Sequence, residues 1–158
     1  MGRRSQNGTN RGKHDPSRFS ADRYERPQLE TPNGAKRILM HSCCAPCAGP
    51  VLERLLPHVR PILYFYNPNI YPQGEYFKRA GELEKLSGIY GVPLVVPEYG
   101  PAAFAGAAAG LEAEREGGAR CGRCFALRLV ETARAAREMG IGWFGTTLTV
   151  SPRKDAAI

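Results

Sequence analysis

The sequence predicts an α/β domain built on a mostly parallel sheet with flanking helices. Three observations carry that prediction. Short, continuous apolar runs recur at residues 38–40, 62–66 and 94–96. Segments of helical period lie between them, and Gly or Pro marks the junctions. Strands buried on both faces give continuous apolar runs, and helices between strands are what parallel pairing requires. At 158 residues the chain has the length of one domain.

The elements follow in order. Residues 1–37 form a basic leader rich in Arg, Asn, Gly, Ser and Pro, with no sustained period and no fixed structure expected. The folded domain is assigned to residues 38–158. Its first strand, 38–40, ends at His41-Ser42-Cys43-Cys44-Ala45-Pro46-Cys47. Val51, Leu52, Leu55 and Leu56 then recur with helical spacing until Pro57 stops the helix. The second strand, 62–66, is closed by Asn67-Pro68-Asn69 and Tyr71-Pro72. A helix over 75–90 follows, with Tyr76, Ala80, Leu83, Leu86 and Tyr90 on one stripe and Glu75/Arg79 paired at i,i+4. Residues 94–96 read as a third buried strand.

Residues 101–116 are ambiguous: Ala favours helix, Gly106 and Gly110 weaken it, and Gly117-Gly118 break the chain. A helix over 121–139 should present Phe125, Leu129, Ala133 and Ala136 to the core, and Gly140 ends it. Residues 143–150 read as a fourth strand, after which Ser151-Pro152 would cap and open another helix. No internal repeat has a fixed period.

The composition, 42% hydrophobic and 23% charged, is globular and excludes a fully disordered or fibrous protein. No apolar run approaches the ~18 residues that span a bilayer. The Arg-rich N-terminus lacks a signal-type hydrophobic region, so the expected location is the cytoplasm. The net charge of +7 is uneven: residues 1–37 hold nine Lys/Arg against four Asp/Glu, and the rest hold 13 against 11. A basic tail of this kind is either a solvated segment or an aid to contacting nucleic-acid phosphates, and charge alone does not choose.

The five cysteines fall into two tight groups, Cys43/Cys44/Cys47 and Cys121/Cys124. Cytosolic thiols stay reduced, so this clustering points to metal binding or redox chemistry rather than a disulfide framework. The first group occupies the loop after strand one, where nucleotide-binding relatives of such sheets carry a glycine-rich phosphate cradle. Neither G-x-G-x-x-G nor G-x-x-x-x-G-K-[ST] is present there. Thiolates in that loop suit a soft metal or a cluster instead. At i,i+3 on a helix start, Cys121 and Cys124 share one side, and the helix N-terminus with Arg120 and Arg123 favours thiolate.

The bland readings are a dithiol redox pair, or buried cysteines acting as small hydrophobes. Two C-x-x-C pairs, Cys44/Cys47 and Cys121/Cys124, favour a four- or five-thiolate site over either. Adjacent Cys43-Cys44 is awkward for one small tetrahedral ion, which puts an iron–sulfur cluster, alone or beside a second metal, ahead of zinc. His41 either orients a ligand or donates a proton, or is a strand-end histidine with satisfied hydrogen bonds. His14 and His58 read as surface residues. Tyr64, Tyr66 and Tyr71 are mostly core, with one rim ring suited to stacking on a base.

Four motifs carry a resemblance. The loop 41–47, Tyr66-Asn67-Pro68-Asn69-Ile70-Tyr71-Pro72, Arg120-Cys121-Gly122-Arg123-Cys124-Phe125 and Thr146-Thr147-Leu148-Thr149-Val150-Ser151-Pro152 together resemble the QueH-type epoxyqueuosine reductases, over about residues 37–158. The resemblance implies a fold like the adenine-nucleotide alpha-hydrolase-like (Rossmann-like) domain. It implies reduction of epoxyqueuosine to queuosine at the wobble position of tRNA with a GUN anticodon. It further implies a 4Fe–4S cluster held by Cys43, Cys44, Cys121 and Cys124, with Cys47 serving an adjacent iron ion.

No nicotinamide or flavin motif is present, so the electrons are expected from a separate donor protein. The chain ends at Ile158, where a further helix would start, and the family's C-terminal cysteine pair is missing from it. It therefore reads as a C-terminally truncated member that is not expected to turn over by itself. Two competitors are a zinc-stabilised RNA-binding module without catalysis and an ATP-dependent tRNA sulfurtransferase-like enzyme. The missing glycine-rich loop counts against the second.

Overall fold

The computed structural model describes residues 29–150. The leader through residue 28 and the helix expected from Ser151 lie outside them. Four strands, β1 (Arg37–His41), β2 (Arg60–Tyr64), β3 (Leu94–Val95) and β4 (Phe144–Thr146), pair in parallel in the order β3-β2-β1-β4. Four helices connect them: α1 (Ala45–Leu55), α2 (Gln73–Tyr90), α3 (Pro101–Ala108) and α4 (Ala119–Glu138). The predicted α/β class, a parallel sheet with flanking helices, is the observed one. Among the described residues, no helix is long and apolar enough to cross a membrane.

Alternation along β1 builds the two cores. Met40 packs with Leu52, Leu63, Phe65, Tyr76 and Leu83 under α1 and α2. Leu39 packs with Ile62, Tyr64, Ala135 and Ala136 under α4. The chain runs outward from β1 through β2 to β3, then returns by α3 and α4 to place β4 on the other side of β1. That reversal makes the carboxyl ends of β1 and β4 a topological switch point, where open α/β sheets bind ligands.

The predicted segments are present, with four corrections. β3 is two residues long, half-buried and at the sheet edge, and Val96 is 44% exposed rather than part of a buried strand. β4 stops at Thr146: the Thr147 N–H still donates to the His41 carbonyl, but Thr146 Oγ1 then takes the Leu148 N–H and turns the chain into a 3-10 turn, Leu148–Val150. β2 runs Arg60–Tyr64 rather than 62–66, so it starts two residues early and leaves Phe65 and Tyr66 beyond it. The segment 101–116, left open by the sequence, is helical over Pro101–Ala108, and Gly110 beyond it takes a positive φ of 78°.

The fourth correction concerns α4. Its buried face is Cys124, Arg128, Thr132, Ala135 and Ala136, while Phe125, Leu129 and Ala133 are only half-buried. The helix is rotated so that a polar stripe, not the most apolar one, faces the sheet.

β4 approaches β1 closely. A Cβ at Gly145 would lie 2.9 Å from Met40 Cε and 3.5 Å from Ile38 Cδ1. Gly145→Val is therefore expected to lower stability by about 1–3 kcal/mol through overpacking, read as a reduced urea midpoint with unchanged slope.

Candidate metal centre

β1 delivers His41, Ser42 and Cys43, all buried, to the switch point. Cys44 is the N-cap of α1 in extended backbone (φ −169°, ψ 160°), and Cys47 sits in the helix's first turn. The three sulfurs, those of Cys43, Cys44 and Cys47, lie within 4.8 Å of one another. Cys43 and Cys44 are 3.8 Å apart. A tetrahedral ion with metal–sulfur bonds of ~2.3 Å has a sulfur–sulfur edge of about 3.8 Å. The adjacent pair, awkward for one small ion as read from sequence, thus has a sulfur separation that matches such an edge, with Cys44 in extended backbone. Burial, together with the hydrogen bonds and charges of Cys44 and Cys43, pushes the Cys47 thiol up to about 12. A bound cation opposes the charge repulsion and draws protons off such thiols, so this donor set fits a soft metal.

Cys43 is anchored from β4. Its N–H donates to Thr147 Oγ1 at 3.3 Å, and its sulfur lies 3.7 Å from the same oxygen. Asn67, just beyond β2, donates from Nδ2 to the Ser42 carbonyl at 2.9 Å and accepts at Oδ1 from Arg128 Nη2. Arg128 is 3% exposed. It lies one turn beyond Cys124 on α4, is hydrogen-bonded to that thiol and feels the charge of Cys43. Burial pulls its pKa down, and the two cysteines oppose that pull.

The other pair is less gathered. Cys124 reaches the centre through Arg128, whereas Cys121 takes the Gly117 N–H on its sulfur at 3.3 Å. Neither joins the three-thiol group. His41 has contacts at both ring nitrogens: Nδ1 is 3.1 Å from Thr146 Oγ1, and Nε2 is 3.1 Å from the Tyr66 carbonyl and 3.3 Å from Arg128 Nε. A protonated Nε2 suits the carbonyl and a bare one suits the guanidinium, so one tautomer cannot serve both. His58 is exposed. Of the three tyrosines, Tyr64 is core and Tyr71 is the rim ring, 87% exposed.

Arg128 was not singled out from sequence, and Asn67 and Thr147 entered only as members of the resemblance motifs, without a role. One signal was available: Thr132, Ala135 and Ala136 are small residues at helical spacing from Cys124, which puts Arg128 on the same face.

Sheet order, switch point and thiol group together define an α/β protein whose strand end carries a cysteine group that could hold a metal, where nucleotide-binding sheets carry a phosphate cradle. A family model described as epoxyqueuosine reductase QueH matches residues 38–158. Curated relatives of the same description include one from Histophilus somni, 40% identical over 135 residues, covering 84% of this chain and 55% of the relative. One from Staphylococcus epidermidis is 40% identical over 139 residues, covering 83% and 58%. One from Haemophilus influenzae is 39% identical over 133 residues, covering 84% and 54%. The chain belongs to the epoxyqueuosine reductase QueH family. It spans about half the length of these relatives.

Proposed function

We propose that this chain carries the metal centre of a cytoplasmic tRNA-modifying reductase that converts epoxyqueuosine to queuosine at the wobble position of GUN anticodons. Both carbon–oxygen bonds of the epoxide break, a carbon–carbon double bond forms, and two electrons and two protons release the oxygen as water. The assigned ligands of a 4Fe–4S cluster are Cys43, Cys44, Cys121 and Cys124, and Cys47 serves an iron ion beside it. When bound, the cluster supplies electrons one at a time, recharged by an external donor protein.

The protein's own groups have separable tasks. Thr147 and Asn67 fix the Ser42–Cys43 backbone from two neighbouring strands. His41, buried beside the cysteine loop, is held at Nδ1 by Thr146 Oγ1. Tyr71 offers an exposed ring for stacking on an anticodon base. The observation that carries the reading is the buried Arg128. It stands one turn from Cys124 on the buried face of α4 and bonds Asn67, which holds the Ser42 carbonyl beside Cys43, so one cation is tied to both cysteine motifs.

The test is conversion of epoxyqueuosine-containing tRNA, followed by nucleoside mass spectrometry under anaerobic conditions with a chemical reductant. It is run on the iron-loaded chain alone and with the C-terminal segment of a relative appended. Loss of one oxygen from the nucleoside by the extended protein supports the reading; retention of that oxygen with both proteins contradicts it.

A further prediction concerns RNA contact. Residues 1–28 carry seven Lys/Arg against three Asp/Glu. Their deletion is expected to weaken tRNA binding and flatten its dependence on salt, with iron content unchanged. Equal affinity at low salt would assign the leader no part in RNA contact.

A further inference from the structure

We infer that Arg128 is a positioning residue that sets the charge of the metal centre, holding its thiolates together and making the bound cluster easier to reduce. The inference rests on the cluster assignment above.

A guanidinium taken out of water costs several kcal/mol unless anions and hydrogen bonds offset it. The ion pairs of Arg79, Lys85 and Arg134 lie on exposed helix faces and do not involve Arg128. Its hydrogen-bond partners are the neutral Asn67 amide, the His41 ring and the Cys124 thiol. Among the described residues, the anions placed to offset its charge are the thiolates of Cys124, one turn away on α4, and of Cys43, beside the Ser42 carbonyl that Asn67 holds.

The geometry also explains why an arginine is suited to this position. Cys124 and Arg128 stand one turn apart on the sheet-facing side of α4, so the helix presents ligand and cation together. The fork reaches His41 on β1 with Nε and Asn67 beyond β2 with Nη2, and Asn67 in turn holds the Ser42 carbonyl. The cation is thus tied to the backbone that carries Cys43. Reduction adds one negative charge to a site already rich in anionic sulfur. A buried cation stabilises that added charge with little screening, and a hydrogen bond to a ligand sulfur acts in the same direction.

The test compares wild type with Arg128→Gln, Arg128→Lys and Asn67→Asp after anaerobic reconstitution. Iron and sulfide are measured, and the one-electron midpoint is followed by visible absorption. Arg128→Gln is expected to shift the reduction equilibrium about tenfold toward the oxidised state, ~59 mV more negative, while Arg128→Lys shifts it much less. Asn67→Asp gives Arg128 a carboxylate partner and is expected to shift the midpoint in the same direction as Arg128→Gln. An unshifted Arg128→Gln, or equal shifts in the glutamine and lysine variants, overturns the inference. Should Arg128→Gln fail to hold iron, Asn67→Asp decides: a negative shift supports the inference and an unchanged midpoint overturns it. A wild-type chain that takes up no cluster fails at the earlier step and removes the cluster assignment itself.

Discussion

Cys124→Ser and Cys44→Ser are each expected to lose most of the bound iron, and only the first is expected to loosen the fold as well. Serine offers a hard hydroxyl that stays protonated at neutral pH, so either change removes one soft anionic ligand from the proposed set. The two cysteines differ in their protein partners. Cys124 is buried and hydrogen-bonded to Arg128. Weakening that bond leaves a buried cation less well compensated, at a cost of about 1–3 kcal/mol. Cys44 is half-buried at the N-cap of α1, with no side-chain capping bond. Thermal melts of the metal-free proteins should therefore separate the two variants, while iron analysis should not. Cys47→Ser should retain more iron than either. Full iron content in both Cys44→Ser and Cys124→Ser would contradict the ligand assignment.

Asn67→Ala should be among the most destabilising single changes outside the apolar cores, at about 3–5 kcal/mol. The Asn67 side chain is buried and makes two bonds, accepting from the Arg128 guanidinium and donating to the Ser42 carbonyl. Alanine removes both and admits no replacement from bulk water. The loss is therefore that of a charge-assisted bond plus an orphaned buried carbonyl. By contrast, Glu75→Ala removes only an exposed i,i+4 pair with Arg79 and should leave the urea midpoint nearly unchanged. Equal midpoints for the Asn67 and Glu75 variants would mean that the polar network under the thiols contributes little to stability.

The parts of the fold legible in the sequence were those set by local pattern. Apolar runs gave β1 and β2, the Tyr76–Leu83 stripe gave α2, and clustered cysteines marked the two loops. What escaped was set by position in the sheet. Leu94–Val96 has the composition of a buried strand, yet β3 lies at the sheet edge, where Val96 stays partly exposed. The rotation of α4 also escaped, because apolarity favoured Phe125 and Leu129, whereas the polar anchors at the strand ends favour Arg128 and Thr132.

Those anchors join residues 61 to 105 positions apart, beyond the reach of any local period: Arg128 with Asn67, Cys43 with Thr147, and His41 with Thr146. The separation of the adjacent cysteine sulfurs was out of reach for a similar reason. That separation depends on the extended backbone at Cys44, which residue identity alone does not specify.

Anaerobic purification, followed by iron, sulfide and zinc analysis and a visible spectrum of the same sample, is the most direct test of the metal centre. The account predicts broad visible absorption with about four irons and four sulfides per chain, plus up to about one further iron at Cys47. A colourless protein holding one tightly bound zinc, with no sulfide, would contradict it and favour a structural thiolate site in an RNA-binding module.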